Sequence, residues 1–90
     1  MSDIKATVRQ VLAQHGRLPT DVTTIDDDDN LYDAGLTSLA TVGVMLALEN
    51  HLDVEFSEPM LSRKTFQSIA AIAEAVAELR ADAGAVPVGA

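Results

Sequence analysis

The sequence predicts one all-α domain, a small four-helix bundle of three main helices and one short helix, with a long loop between the first and second. Ninety residues supply one hydrophobic core and leave too little apolar surface for a second. Apolar residues recur at helical spacing in three stretches. Only Tyr32, Phe56 and Phe66 are aromatic although 48% of the chain is hydrophobic, so the core must be mostly Val, Ile, Leu, Met and Ala, a set that suits packed helices. The domain is expected to span residues 1–81. Residues 82–90 lack a periodic apolar face and include Gly84, Pro87 and Gly89, which predicts a flexible tail.

In the first helix Ile4, Val8, Val11 and Leu12 form one apolar face, Asp3 can cap the start and Gly16 can end it. Lys5, Arg9 and Gln10 occupy the opposite face, and His15 sits near the C-terminus, where the helix dipole favours a cation. This helix reads as scaffold. From Arg17 to Thr37, Pro19, several threonines, an aspartate run and Gly35 predict a loop with one helical turn. Loops of that length are usually functional or disordered. Leu18, Val22, Ile25, Leu31, Tyr32 and Leu36 argue for an ordered one, because they can pin it to the bundle and deliver Asp33 to Thr37 beside Ser38. Tyr32 is expected as a core anchor with its hydroxyl at the rim.

The second helix is expected from Ser38 to His51 or Leu52 and is apolar nearly all round. Thr41, Val44, Met45, Leu48 and Leu52 form one stripe; Leu39, Gly43, Leu46, Ala47 and Asn50 form another, with Ala40 and Val42 alongside. A helix of this kind is normally buried on most sides, and a small bundle can cover only part of it. The second stripe therefore either faces a partner or packs under the long loop. Gly43 favours close approach by another backbone, since glycine within a helix costs about 0.5 to 1 kcal/mol relative to alanine. Further on, Ser57 can cap a short helix with Pro59 in its first turn, and Val54, Phe56, Met60 and Leu61 can seal the bundle. Ser62-Arg63-Lys64 is a polar connection. Thr65 is the expected cap of a last helix that turns Phe66, Ile69, Ile72, Val76 and Leu79 inward and Glu74, Glu78 and Arg80 outward.

Charge is spread unevenly over the net value of -8. Between Leu18 and Ser62 there are ten carboxylates and no Lys or Arg; the remainder holds six cations against four carboxylates. Such a middle repels nucleic acid and steers a basic partner toward itself, more strongly at low salt. The aspartate run from Asp26 to Asn30 does not fit a calcium loop, because the positions that need glycine and glutamate hold Leu31 and Thr37. No specific metal site is expected. Without cysteine there is neither a disulfide nor a thiolate ligand or nucleophile, so any thiol chemistry must come from a prosthetic group. No segment reads as a signal peptide or membrane span, which makes a cytoplasmic monomer without membrane insertion the expectation.

The most informative stretch is Asp33-Ala34-Gly35-Leu36-Thr37-Ser38-Leu39, where a polar, glycine-bearing loop hands over to the second helix. A phosphate ester on Ser38 would be stabilised by the free N–H groups and positive dipole end of that helix, and Gly35 allows a tight turn that leaves the hydroxyl accessible. Ser38 also suits the N-cap, a position where serine is worth ~1 kcal/mol over alanine. The nucleophile elbow of serine hydrolases is not matched, since Gly35 is displaced from its first glycine position, and His51 would stand far along the same helix.

This stretch resembles the phosphopantetheine attachment region of acyl and peptidyl carrier proteins, whose usual form is Asp-x-Gly-x-Asp-Ser-Leu. Most of the chain follows that family's order of helix, long loop, helix, short helix and helix. Thr37 replaces the usual acidic residue. The resemblance implies a non-catalytic, stand-alone carrier whose Ser38 receives 4'-phosphopantetheine from coenzyme A through a phosphopantetheinyl transferase, flanked by Asp33, Gly35, Leu36, Thr37 and Leu39. An acyl or aminoacyl group would be held as a thioester, loaded by one enzyme and passed on by a downstream transferase, both acting in trans. Leu36, Leu39, Ala40, Gly43 and Leu46 are the expected docking surface. Low charge along the second helix points away from a housekeeping fatty-acid carrier and toward a specialised pathway. The competing expectation is an unmodified acidic adaptor that binds a protein through the second helix.

Overall fold

A computed structural model describes residues 4–19 and 21–85 and contains three main helices: α1 (Ile4–His15), α2 (Ser38–Leu52) and α3 (Ile69–Ala85). Single 3-10 turns at Val22–Thr24 and Glu58–Met60 interrupt the two connections. Helix α1 packs against both α2 and α3. Its Val8, Val11 and Leu12 meet Val44 and Leu48 of α2, Ile69, Ile72 and Val76 of α3, and Leu31 of the long loop in a core of fully buried side chains. The architecture and the long loop between α1 and α2 are those the helical spacing predicts. The expected cap Asp3 and residues 86–90 of the expected tail lie outside the described residues. Helix α3 continues through Ala85, four residues beyond the expected end of the domain. No helix among the described residues is long and apolar enough to cross a membrane.

The long loop is strapped down from both sides. Val22, Ile25, Leu31 and Leu36 are buried, while Leu18 and Tyr32 are half-buried against the core. Arg9 reaches from α1 to donate to the carbonyls of Val22 (2.9 Å) and Ile25 (2.7 Å) and to Asp27 Oδ1 (2.6 Å). Lys5 Nζ lies 3.1 Å from the other oxygen of Asp27. These two residues, expected on a solvent-facing helix surface, instead hold the aspartate-rich loop. The Arg9 and Lys5 hydrogen bonds keep the Asp27 carboxyl below the usual aspartate range. From the other side the Leu31 N–H donates to Gln67 O (2.7 Å) and the Ala70 N–H to Asp27 O (2.9 Å). Asp21 caps the 3-10 turn by accepting from the Thr23 N–H and hydroxyl, which lowers its carboxyl too.

Three local expectations require correction. The predicted fourth helix is a single 3-10 turn, and Ser57 stands at its cap position without a side-chain bond. Three residues offer no apolar face, so of the four residues expected to seal the bundle only Phe56 is buried; Leu61 is 51% exposed. The cap of α3 is Ser68, whose hydroxyl accepts from the Ala71 N–H at 3.0 Å, and not Thr65. Residues 62–67 wind as successive i to i+3 turns, which places Thr65 beside the Ser62 hydroxyl (3.2 Å) and Phe66 outside the helix against Phe56, ring centroids 5.3 Å apart. Helix α1 ends at His15, just before Gly16 as expected, with the Gly16 N–H bonded to Leu12 O and Arg17, at φ 54°, in the left-handed conformation.

Candidate functional site

Two neighbouring hydroxyl residues divide the start of α2 between them. Thr37, in extended conformation at φ -101° and ψ 163°, is the N-cap, and its side chain accepts from the Ala40 N–H at 3.0 Å. Its carbonyl takes the Thr41 N–H (2.9 Å) and hydroxyl (2.8 Å). Ser38 is therefore the first helical residue, at the expected start of the second helix, and not its cap. Its side chain is exposed, and no described residue bonds its hydroxyl. With Ala40 satisfied by Thr37, the N–H groups of Ser38 and Leu39 remain directed out of the helix start without an intrahelical acceptor. An oxyanion attached to Ser38 would meet those donors and the positive end of the α2 dipole.

The loop sets this geometry within a few residues. Gly35 has φ 119°, a conformation that a side chain makes costly, and a Cβ there would lie 2.5 Å from Pro19 Cδ. Asn30 Oδ1 accepts from the N–H groups of Tyr32 (2.8 Å) and Asp33 (3.1 Å), and the Leu36 N–H returns to Leu31 O (2.9 Å). Asp33 is exposed on the rim of this turn, and Leu36 is buried beneath it. The tightened loop thus presents Thr37 and Ser38 while its apolar residues stay inside.

Of the residues expected at a docking surface, the fold brings Leu39, Gly43 and Leu46 to the outside and places Leu36 and Ala40 within the core. Helix α2 turns Ala40, Val44, Ala47 and Leu48 inward, taking members of both predicted stripes. Leu39 is 84% exposed, and Val42 and Leu46 are 50% exposed, so an apolar flank remains uncovered. Nothing in the described chain comes within 4 Å of a Cβ built on Gly43. The long loop does not cover this face.

Beside Ser38 an open groove of about 280 Å³ runs between α2 and the 61–66 segment, with Thr41, Val42 and Met45 on one wall and Leu61, Arg63 and Phe66 on the other. Tyr32 closes one end. Its ring lies 4.1 Å beneath the Arg63 guanidinium carbon, and its hydroxyl is 3.5 Å from Thr41 Oγ1, at the rim as expected. Arg63 gave no sign of this role in the sequence, where it reads as part of a polar connection. His51 is in the last turn of α2, thirteen residues and about 20 Å along the helix from Ser38, out of reach for proton transfer. Among the described residues no three acidic or histidine side chains cluster so as to hold a metal ion. The site offers a hydroxyl to which no described side chain is hydrogen-bonded as a base, beside two N–H groups without intrahelical acceptors.

Residues 3–76 match the profile of a family described as the phosphopantetheine attachment site. The aminoacyl carrier protein of Agrobacterium fabrum (strain C58 / ATCC 33970) is 49% identical over 73 residues, 81% of this chain and 88% of that protein. The D-alanyl carrier protein of Streptococcus mutans serotype c is 34% identical over 79 residues, 87% of this chain and 96% of that one. A crystal structure of an engineered Bradyrhizobium japonicum glycine:[carrier protein] ligase, complexed with carrier protein from Agrobacterium tumefaciens and ATP, holds a chain that superposes with a TM-score of 0.81 at 48% identity. That match covers 83% of this chain and 97% of the other.

Proposed function

The chain belongs to the phosphopantetheine-attachment family of carrier proteins, which are not themselves catalysts, and from that premise we propose that Ser38 is the attachment residue and a small amino acid the cargo. The group, once bound, supplies a terminal thiol that holds a carboxylic acid as a thioester. The residues at the α2 start fit it: an exposed, unbonded hydroxyl, two free N–H donors and a neighbour that already caps the helix. This last feature carries the reading of Ser38, because a hydroxyl engaged in capping would have to leave its N–H before it could react.

Attachment requires the Ser38 oxygen to form a bond to the pantetheine-bearing phosphorus of coenzyme A as the bond to the nucleotide phosphate breaks. The departing hydroxyl proton needs a base from the transferase, since no described side chain is hydrogen-bonded to the hydroxyl to take it. The N–H groups of Ser38 and Leu39 then face the new phosphodiester. A ligase acting in trans loads the arm, and its docking face is the uncovered flank formed by Leu39, Gly43 and Leu46. The aminoacyl and D-alanyl cargoes of the similar carriers, and the glycine ligase complexed with one, support a small amino acid. The carboxylates of residues 18–62 favour a loading enzyme with a basic approach surface.

Intact mass after incubation with coenzyme A and a phosphopantetheinyl transferase tests the attachment. One phosphopantetheine addition is expected, absent from Ser38→Ala; no addition, or addition to the variant, overturns the assignment. Presented with ATP, a glycine:carrier ligase and glycine, alanine or a medium-chain fatty acid, the modified protein should gain the mass of an amino acid and not of the fatty acid. Leu46→Glu should accept the arm normally and load more slowly, and undiminished loading removes that flank from the docking surface.

A further inference from the structure

Arg63 is the first cation after a stretch of forty-five residues that has none, and it lines the same groove as Ser38. Ten carboxylates lie in that stretch, yet both ion pairs among the described residues belong to Lys5 and Arg9, and no described carboxylate pairs with Arg63. Its guanidinium instead rests over the face of Tyr32. Stacking on a ring leaves the in-plane N–H donors of a guanidinium available, and their fork geometry suits a phosphate. The same groove is lined by the apolar side chains of Val42, Met45 and Leu61.

A cation and apolar side chains in the groove that Ser38 lines match the chemistry of the arm outward from Ser38: an anionic phosphodiester, then a dimethyl-substituted carbon, then amides. We propose that Arg63, held over Tyr32, binds the phosphodiester and thereby lays the first part of the arm along Val42, Met45 and Leu61. The inference rests on attachment at Ser38. Two independent features carry it beyond the helix N-terminus, namely a groove-lining cation with no carboxylate partner among the described residues and the apolar side chains that line the same groove. The Arg63–Tyr32 pair then acts on the cofactor as a positioning device, biasing the arm toward one flank of α2 and leaving Leu39 and Leu46 open to a loading enzyme.

The test compares wild type, Arg63→Ala and Arg63→Lys before and after modification, with intact mass recorded on every sample. Phosphorus NMR reads the phosphodiester, and methyl spectra read Val42, Met45 and Leu61. In wild type these methyl signals should shift on modification. In Arg63→Ala, whose unmodified spectrum reports an intact fold, modification should go to completion while the methyl shifts are lost and the phosphorus resonance moves to a solvent-exposed position. Arg63→Lys should recover part of the phosphorus shift. A completed mass addition with unmoved methyl signals, or with identical phosphorus spectra in wild type and Arg63→Ala, overturns the proposal alone. Absence of the mass addition overturns the Ser38 assignment and this inference with it.

Discussion

Residues 16–37 and residues 53–68 each carry the chain from one long helix to the next, but the first connection buries Val22, Ile25, Leu31 and Leu36 while the second buries only the side chains of Phe56 and Phe66. Their hydrogen bonds differ in the same sense. The first is tied to Arg9, Gln67 and Ala70, all remote in sequence, whereas the second, apart from the Gln67 carbonyl that takes the Leu31 N–H, is held largely by turns closing over three residues and by the Phe56 N–H to the Glu49 carboxylate. A segment secured by distant partners opens only with the surrounding core, and one held by local turns can open by itself at lower cost. The firm connection delivers Thr37 and Ser38 to the start of α2. The lightly held one supplies one wall of the groove that Ser38 lines.

Removing one leucine from each connection gives the largest contrast. Leu31→Ala should lower unfolding stability by about 3 kcal/mol, because a fully buried side chain leaves a cavity between all three helices. Leu61→Ala, at an exposed position, should change it by less than about 0.5 kcal/mol. Urea unfolding of both variants measures the difference. Equal losses would mean that the two connections are equally integrated into the core.

The polar fastenings should show a smaller gap in the same direction. Arg9→Ala deprives two backbone carbonyls of their donor and should cost about 2 kcal/mol, against under about 0.5 kcal/mol for Arg63→Ala. Acid provides a second handle on the strap. The Asp27 carboxyl is lowered in the folded protein by its hydrogen bonds to Arg9 and Lys5, so its contribution is complete above the unfolded aspartate pKa, about 4, and is lost as pH falls through the folded value. Stability of Asp27→Asn should therefore fall less steeply on acidification than that of wild type. Parallel acid limbs would show that the ion pairs contribute nothing to holding the loop.

What could be read in the sequence follows from how local each determinant is. The limits of α2, the pinning residues Val22, Ile25, Leu31 and Leu36, and the exposed serine after Gly35 all leave patterns within a few positions. Arg9 and Lys5 resembled a solvated helix face because their partner Asp27 belongs to another element, and a run of aspartates gives no hint of which one is bonded. Arg63 and Tyr32 meet across the groove for a similar reason. The nearly uniform apolar character of α2 concealed which side faces inward, so Ala40 was grouped with Leu39 and Leu46 although the core claims it; Leu36, in the loop before the helix, is buried as well. Caps were misplaced wherever two hydroxyl residues lay close together, as at Thr65 and Ser68, since both carry the necessary oxygen and only the backbone path selects one.

The same ambiguity at Thr37 and Ser38 yields the finest test of what the firm connection accomplishes. If its last residue alone secures the helix, Thr37→Ala should lower stability by about 1 kcal/mol through loss of the bond to the Ala40 N–H. Ser38→Ala should leave stability within about 0.3 kcal/mol of wild type, since alanine favours a helical position and the serine hydroxyl holds nothing in place. Thermal unfolding of the unmodified proteins, with Thr37→Ser as the control that keeps a capping oxygen, separates these cases. A loss at Ser38 equal to that at Thr37 would return the cap to Ser38, and the hydroxyl would then have to break from the helix before each modification. A loss at Thr37 alone means that the loop has taken over the structural work of the junction, and the adjacent serine is free to be chemically altered without loosening the helix that presents it.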